Sequence, residues 1–401
     1  MPSVDVVVTC PVFDSFRVQQ VAGMFDVPIS RRASERFHVD LPELGDDWQI
    51  GLIVGPSGSG KTTIARKIFG DRVYRRRRWP RNRAVVDCLG NRPIKEITGL
   101  FTAVGFSSPP SWIKPFHVLS GGEQFRCDLA RALSEAEGQV VAFDEFTSVV
   151  DRTVARIGSA AIAKGIRRGQ INCRLVAVTC HYDVTEWLQP DWIIDMATSS
   201  FDRRCLQRPP IQLEIFRCQR GAWRMFARHH YLSGSLGNAA RCFIALWQEV
   251  PVAFCATVSL IGHRKRWRIS RIVTLPDFQG IGIGMKVAES VAQLHRAEGH
   301  RVNVTASHPA LIAHCRRSPE WRAVGVKKTG SQKTRRFISN YRGSPGRAVV
   351  SFEYLAPRKG TGPCFRPAVC SKRTSSRRKM DQSPNWPPAE RATCGFATRN
   401  E

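Results

Sequence analysis

Two glycine-rich stretches have residue types suited to phosphates, and what flanks them differs. Residues Gly55, Pro56, Ser57, Gly58, Ser59, Gly60, Lys61, Thr62 and Thr63 fit the spacing G-x-x-x-x-G-K-[ST]. The glycines let backbone N–H groups converge on phosphate oxygens, Lys61 neutralises β/γ charge, and the Thr62 hydroxyl suits Mg²⁺. The second stretch, QGIGIG at 279–284, lacks a Lys-Ser/Thr pair, the G-x-G-x-x-G spacing and a downstream ribose-binding acid. It offers only amides at a helix start, which suit a pyrophosphate rather than a hydrolysable triphosphate.

Further chemistry follows the first loop in order. Ser120, Gly121, Gly122, Glu123 and Gln124 open a helical run with Phe125, Leu129 and Leu133 on one face, an arrangement that exposes amide donors to an anion. The apolar run VVAF delivers Asp144 and Glu145 at its end, where Asp144 can hold Mg²⁺ and Glu145 can polarise an attacking water. Asp151 closes SVVD, and His181 follows the run RLVAVT, placed to sense a γ-phosphate.

These residues must be positioned by elements that the periodicity outlines. Residues 1–205 alternate short apolar runs (IGLIV, VVAF, RLVAVT) with longer amphipathic segments, the pattern of an α/β domain with a largely parallel sheet. The Pro pair in QRPPIQLEIF marks a boundary. Over 206–355 the runs CFIALWQ, VAFCATVSL and WRISRIVTL follow one another as an antiparallel meander before the helical GMKVAESVAQLHRAEG, an α+β arrangement with its own core. Residues 356–401, rich in Pro, Ser, Arg and Lys without apolar periodicity, read as a disordered basic tail.

Composition bounds the rest. The 401 residues carry a net charge of +28, a field that attracts polyanions, with nucleic acid the leading partner class. Thirteen scattered cysteines show neither zinc-ligand spacing nor a disulfide framework. With no long apolar run and no signal-peptide start, the chain reads as soluble and cytoplasmic.

The ordered motifs GPSGSGKT, LSGGEQ, VVAFDE, SVVD and CH resemble the Walker A, signature, Walker B, D-loop and switch histidine of an ATP-binding cassette (ABC) ATPase, over residues 45 to 200. That resemblance implies ATP and Mg²⁺ as ligands, with Thr62 and Asp144 at the metal and Glu145 and His181 in catalysis. It also implies an ATP-dependent head-to-tail homodimer in which Ser120 and Gly122 close on ATP held at Lys61 of the other subunit. Two departures stand out: the interval between Lys61 and Ser120 is short and contains no glutamine for a Q-loop. Asp87, after the strand-like RAVVD, is the candidate for a related position. Arg75 to Arg78 beside Trp79 suit nucleic acid. Phe25 is the candidate adenine-stacking aromatic, with Phe37 read as core.

The second half, over 210 to 355, resembles the GNAT N-acetyltransferase superfamily through Gln279-x-x-Gly282-x-Gly284 between a strand and a helix, followed by RVNVTAS. The resemblance implies acetyl-CoA as ligand. Ile272, Val273 and Thr274 of a splayed strand would bind its pantetheine arm, and Gln279, Gly280, Gly282 and Gly284 its phosphates. Many relatives place an acid tyrosine after the next strand; here HPALIAHCRRSPEW has His308, His314 and Cys315 instead. His229, His230, Tyr231 and His314 are the candidates for the acceptor pocket.

The fold class expected is therefore an α/β P-loop NTPase (ABC ATPase) domain followed by an α+β GNAT-like acetyltransferase domain. The expected function is ATP hydrolysis coupled to acetyl transfer onto an amine of a macromolecular acceptor. Two rivals are a transporter ATPase subunit, opposed by the missing Q-loop glutamine and the short interval, and a nucleic-acid ATPase with a non-catalytic GNAT-like module.

Overall fold

The computed structural model describes residues 3–203, 208–230, 236–260, 262–328, 348–355 and 391–396. At the start, β1 (Ser3–Pro11) and β2 (Arg32–Asp40) pair as an antiparallel hairpin around α1 (Phe16–Phe25). Ser15 caps α1, which has no buried residue, and Phe25 at its end is 69% exposed.

The first lobe is built on β3 (Ile50–Val54), β4 (Val140–Phe143), β5 (Arg174–Thr179), β6 (Trp192–Asp195) and β7 (Ser200–Arg203), in the order β4-β5-β3-β6-β7. The first four are mutually parallel and β7 is antiparallel to β6. Continuous burial along β3 and β4 fits a sheet covered on both faces. A Cβ on Gly51 would lie 2.0 Å from the Trp192 indole, so this glycine makes room for the largest buried side chain of the lobe.

Helices α2 (Lys61–Phe69), α3 (Ile94–Ala103), α4 (Pro109–Trp112), α5 (Gly121–Glu135), α6 (Arg152–Arg167) and α7 (Thr185–Leu188) complete this lobe. Phe125, Leu129 and Leu133 of α5 are all buried, and Phe125 meets the rings of Phe143 and Phe146. Two readings of the interval before α5 change. RAVVD is not a strand: Val85–Cys88 is a 3₁₀ turn that leaves Asp87 exposed. Trp79 is not a surface platform either. Its ring is buried against Phe116 (4.8 Å) and under the Arg131 guanidinium, and its Nε1 donates to Asp128 (2.6 Å), while Arg75 to Arg78 remain exposed.

The second lobe comprises β8 (Ile211–Cys218), α8 (Trp223–Phe226), β9 (Arg241–Trp247), β10 (Val250–Ser259), β11 (Arg266–Thr274), α9 (Ile283–Ala297), β12 (Arg301–Ala306), α10 (Pro309–Arg317), β13 (Trp321–Lys328) and β14 (Ala348–Tyr354). Its sheet runs β13-β14-β12-β11-β10-β9-β8, extended past β8 by β15 (Arg391–Phe396). Of the tail read over 356–401, the described residues are Arg391–Phe396, which run antiparallel to β8. An edge strand such as β8 presents unpaired N–H and C=O groups that another strand can satisfy. Residues 356–390 and 397–401 lie outside the described residues.

β8 to β11 form the expected meander, and α9 crosses over to set β12 parallel to β11. That pairing extends only from Arg266↔Arg301 to Ile269↔Val304. Beyond it β11 continues along β10 to Thr274 and β12 along β14 to Ala306, so the two strands splay. No helix among the described residues is long and apolar enough to cross a membrane.

The lobes share a core. One face of α6 (Ile162, Ala163, Ile166) packs with the first lobe, and the opposite face (Ile157, Ala160, Ala161) joins Phe278, Ile281 and Ile283 of the second. Trp187 of α7 meets Trp247 of β9 (5.8 Å), which in turn meets Phe278 (6.0 Å).

Candidate functional site

The first glycine loop joins β3 to the start of α2. Gly58 and Gly60 hold φ of 82° and 81°, a region that favours glycine, and a Cβ on Gly60 would fall 2.3 Å from the Phe37 ring. Phe37 thus lies against the loop itself rather than only in the core. Lys61 Nζ donates to Pro56 O (2.5 Å), which keeps the ammonium over the loop. Thr62 Oγ1 donates to Asp144 Oδ1 (3.1 Å), bringing together the two oxygens expected to hold Mg²⁺. A hard cation taking its remaining ligands from phosphate and water fits this pair. Among the described residues no group of three or more His, Cys, Asp or Glu side chains could hold a metal.

Asp144 leaves the end of β4, and its Oδ1 also accepts from the Glu145 amide (3.0 Å). Glu145 has φ 56° and its side chain is exposed, a strained backbone that turns the carboxylate out of the strand direction. His181 follows β5. Its amide donates to Thr179 Oγ1 (3.2 Å). Burial, and then the Arg152 charge, hold its imidazole below the ordinary range. Glu145 and Lys61 both lie within electrostatic range of His181.

Ser120 caps α5 through a capping box: its Oγ accepts from the Glu123 amide (3.4 Å) and the Glu123 carboxylate accepts from the Ser120 amide (3.0 Å). Glu123 also accepts from Ser111 Oγ (2.7 Å), and Gln124 Nε2 donates to the Phe116 and Leu119 carbonyls. Glu123 and Gln124 thus shape the helix start, leaving Ser120, Gly121 and Gly122 to present it. Asp151 caps α6, accepting from the Thr153 and Val154 amides.

The second glycine loop precedes α9, with φ of 93° at Gly280 and 102° at Gly282. Among the described residues, none of the amides from 280 to 284 has a backbone acceptor. A Cβ on Gly284 would lie 2.7 Å from Thr274 Oγ1. The loop borders a cavity of about 450 Å³ lined by Ile272, Val273 and Thr274 on one splayed strand and by Val304, Thr305 and Ala306 on the other. Gly280, Gly282 and Gly284 all line it, as do His229, His230 and His314. Tyr231 lies outside the described residues.

The histidines differ in what they can do. His308 Nδ1 accepts from the Ala310 amide (3.3 Å), so its Nε2 carries the hydrogen toward Ser107 O (3.3 Å); burial holds its imidazole below the ordinary range. His229 Nε2 accepts from Arg228 Nε (3.1 Å), and burial followed by the Arg228 charge lowers its proton affinity. His314 Nε2 meets Glu289 Oε1 (2.7 Å), a carboxylate also held by Trp321 Nε1, which leaves Nδ1 as the nitrogen able to exchange a proton. Burial pushes the Cys315 thiol up to about 12, so it is inert as a nucleophile.

Residues 197–315 match the family model described as Acetyltransferase (GNAT) family. The IAA acetyltransferase from Bacillus cereus ATCC 14579 is 14% identical, with 36% of this chain and 99% of that chain covered and a TM-score of 0.29. For the ribosomal-protein-S18-alanine N-acetyltransferase from Escherichia coli the values are 14%, 37%, 97% and 0.28. A dimeric ATP-binding cassette solved in a post-hydrolysis state with ADP and Pi is 17% identical, with 40% of this chain and 86% of that chain covered and a TM-score of 0.31. No curated protein matches the chain. The chain thus resembles an ABC-type ATPase fused to a GNAT-like domain, the first part through its motif order and loop geometry.

The sequence reading missed how the cassette lobe meets the GNAT glycine loop. Gln279 is buried; its Oε1 accepts from the Ser107 amide (2.8 Å) and its Nε2 donates to Thr274 O (3.0 Å), so its side chain bridges the lobes. Arg126 of α5 reaches Asp277 O (3.3 Å), and Lys164 of α6 reaches Gly280 O (3.1 Å). Gly280 approaches Gly105 so closely that its Cβ would fall 2.7 Å from the Gly105 Cα. The available signal was Lys164, a lone cation in the small and apolar run SAAIAKG.

Proposed function

We propose that the chain binds and hydrolyses ATP in its cassette lobe and transfers an acetyl group from acetyl-CoA in its GNAT domain to an amine of a macromolecular acceptor. The observation that carries the transfer reading is the glycine loop, whose amides lack backbone acceptors, at the mouth of a cavity between splayed strands inside the matched segment. Acetyl-CoA supplies an activated thioester. Within the GNAT domain, the 280–284 amides hold phosphate oxygens, and the open edge of residues 272–274 aligns the arm. The acceptor nitrogen attacks the thioester carbonyl, the C–S bond breaks, and the amine proton passes to the departing thiolate. His314, oriented by Glu289, is the group proposed to relay that proton, with His229 and His230 toward the acceptor.

In the cassette, Gly55 to Thr63 cradle the triphosphate, Thr62 and Asp144 hold Mg²⁺, Glu145 orients the attacking water and His181 contacts the γ-phosphate. Ser120 to Gln124 and Asp151 serve the partner subunit's nucleotide in an ATP-dependent homodimer. The +28 charge favours an acceptor associated with nucleic acid. A second reading, a GNAT-like module that binds CoA without transfer, is favoured by one observation: α10 carries no tyrosine to act as the acid, and the ring nitrogens of His308 at its start are already engaged.

Release of free CoA from acetyl-CoA, measured with fractionated RNA, DNA or protein and with or without ATP, tests the proposal. Release in one fraction names the acceptor class. CoA binding with no release in any fraction selects the second reading.

A further inference from the structure

The wall of the CoA cavity nearest the glycine loop belongs to the cassette lobe. Lys95 of α3, Lys164 of α6 and Arg168 just past its end line the cavity together with Gly280 and Gly282, and Arg317 of α10 closes it from the GNAT side. Lys164 Nζ lies 3.1 Å from Gly280 O and 3.5 Å from where a Gly282 Cβ would be, so the ammonium stands at the loop itself. None of these four cations forms an ion pair among the described residues; Lys164 bonds a carbonyl, and Arg317 Nε bonds Ala313 O (3.2 Å). The charges bearing on Lys164 are all positive, from Arg168, Arg208 and Arg317, and burial with that repulsion pushes its ammonium down to about 8. Gathering like charges without carboxylates is unfavourable unless an anion joins them.

We infer that the CoA site is composite: the cassette residues Lys164 and Arg168 bind the phosphates of the CoA nucleotide whose pyrophosphate rests on the GNAT glycine loop. The inference rests on the CoA reading above. It assigns recognition of the phosphorylated end of the carrier to α6 of the other lobe, with Lys95 as an outer contributor. The phosphates bring about four negative charges to a wall that now holds only positive ones, and charge-assisted hydrogen bonds here are worth roughly tenfold in affinity each.

Calorimetric titration of the full chain with CoA and with 3′-dephospho-CoA tests this in the wild type, Lys164→Met, Arg168→Gln and Gly282→Glu. Lys164→Met and Arg168→Gln each weaken CoA roughly tenfold, with a steeper salt dependence in the wild type than in either variant, and ATP affinity stays unchanged. A variant in which the penalty shrinks for 3′-dephospho-CoA identifies the 3′-phosphate as its partner; an equal penalty identifies the pyrophosphate. Arg168 is exposed, so its variant reports even where Lys164→Met fails to fold. A wild type that binds no CoA overturns the reading and the inference together. CoA binding lost in Gly282→Glu but unchanged in Lys164→Met and Arg168→Gln overturns the inference alone.

Discussion

The contact between Gly280 and the cassette lobe can be weighed by one methyl group. Gly280 and Gly282 both hold left-handed backbones, φ 93° and 102°. Alanine at either costs about 1–2 kcal/mol for that conformation. Their surroundings differ. A Cβ at 282 meets only Lys164 Nζ at 3.5 Å, the movable end of a long side chain, whereas at 280 it lies 2.6 Å from the Ala161 Cβ and 2.7 Å from the Gly105 Cα. Neither neighbour can swing aside, so Gly280→Ala adds an overpacking cost of about 1–3 kcal/mol. Thermal unfolding without ligand should therefore place Gly280→Ala below Gly282→Ala, by roughly 1–2 °C per kcal/mol for a chain of this length. Tryptophan emission is a fitting probe because Trp187 and Trp247 sit in the shared core. Ala161→Gly combined with Gly280→Ala should recover part of the excess, giving a favourable coupling term in a double-mutant cycle. Equal losses in the two single variants, or no coupling to position 161, would refute the account of the lobes as held backbone to backbone.

Two further outcomes follow from named side chains. Glu145→Gln should lower ATP turnover by about 10²-fold or more while sparing ATP binding, and light scattering should show an ATP-dependent dimer accumulating; a variant that binds ATP yet stays monomeric counts against the head-to-tail arrangement. His295 is 1% exposed, stacked on Trp267 (4.6 Å) with Nε2 on Thr257 Oγ1 (2.9 Å), and burial pushes its imidazole down to about 4. An unfolded histidine titrates near about 6.5, so the unfolded chain takes the proton first and stability falls as pH drops from about 6.5 to about 4, levelling below. Denaturant titrations of His295→Gln should show that slope reduced, and an unchanged slope would sink the assignment.

Each lobe was legible because its signals are local. A strand, a loop of fixed spacing and a helix lie within some twenty residues at both glycine stretches, and the placement of Asp144 and His181 follows from β4 and β5 ending on the same side of a parallel sheet. Trp79 was misread for the opposite reason. Four arginines and a tryptophan look alike in sequence whether the ring faces solvent or packs, and what decided it was Asp128, 49 positions away, accepting from its indole.

The joint between the lobes is written in residues with several roles. Gly105, Ala161 and Gly280 are small because backbones meet there, yet a small residue in sequence equally signals a turn or a helix interior. Arg126 is the sharper case. It is 1% exposed, and its Nη2 donates to the Asp277 carbonyl of the segment leading into the GNAT glycine loop. Burial lowers its proton affinity, opposed first by Asp277 and then by Glu123 and Asp151. A guanidinium so deeply buried is tolerable only while those carboxylates stay close, because an uncompensated buried charge costs several kcal/mol. Two of them belong to the cassette's helix starts and the third to the GNAT domain, whose carboxyl is itself raised by burial. The helix that opens with Ser120 and the segment that leads to Gly280 are therefore joined at Arg126, where the largest opposing charge and the carbonyl acceptor both come from Asp277 across the joint, while Glu123 and Asp151 attend the guanidinium from its own side.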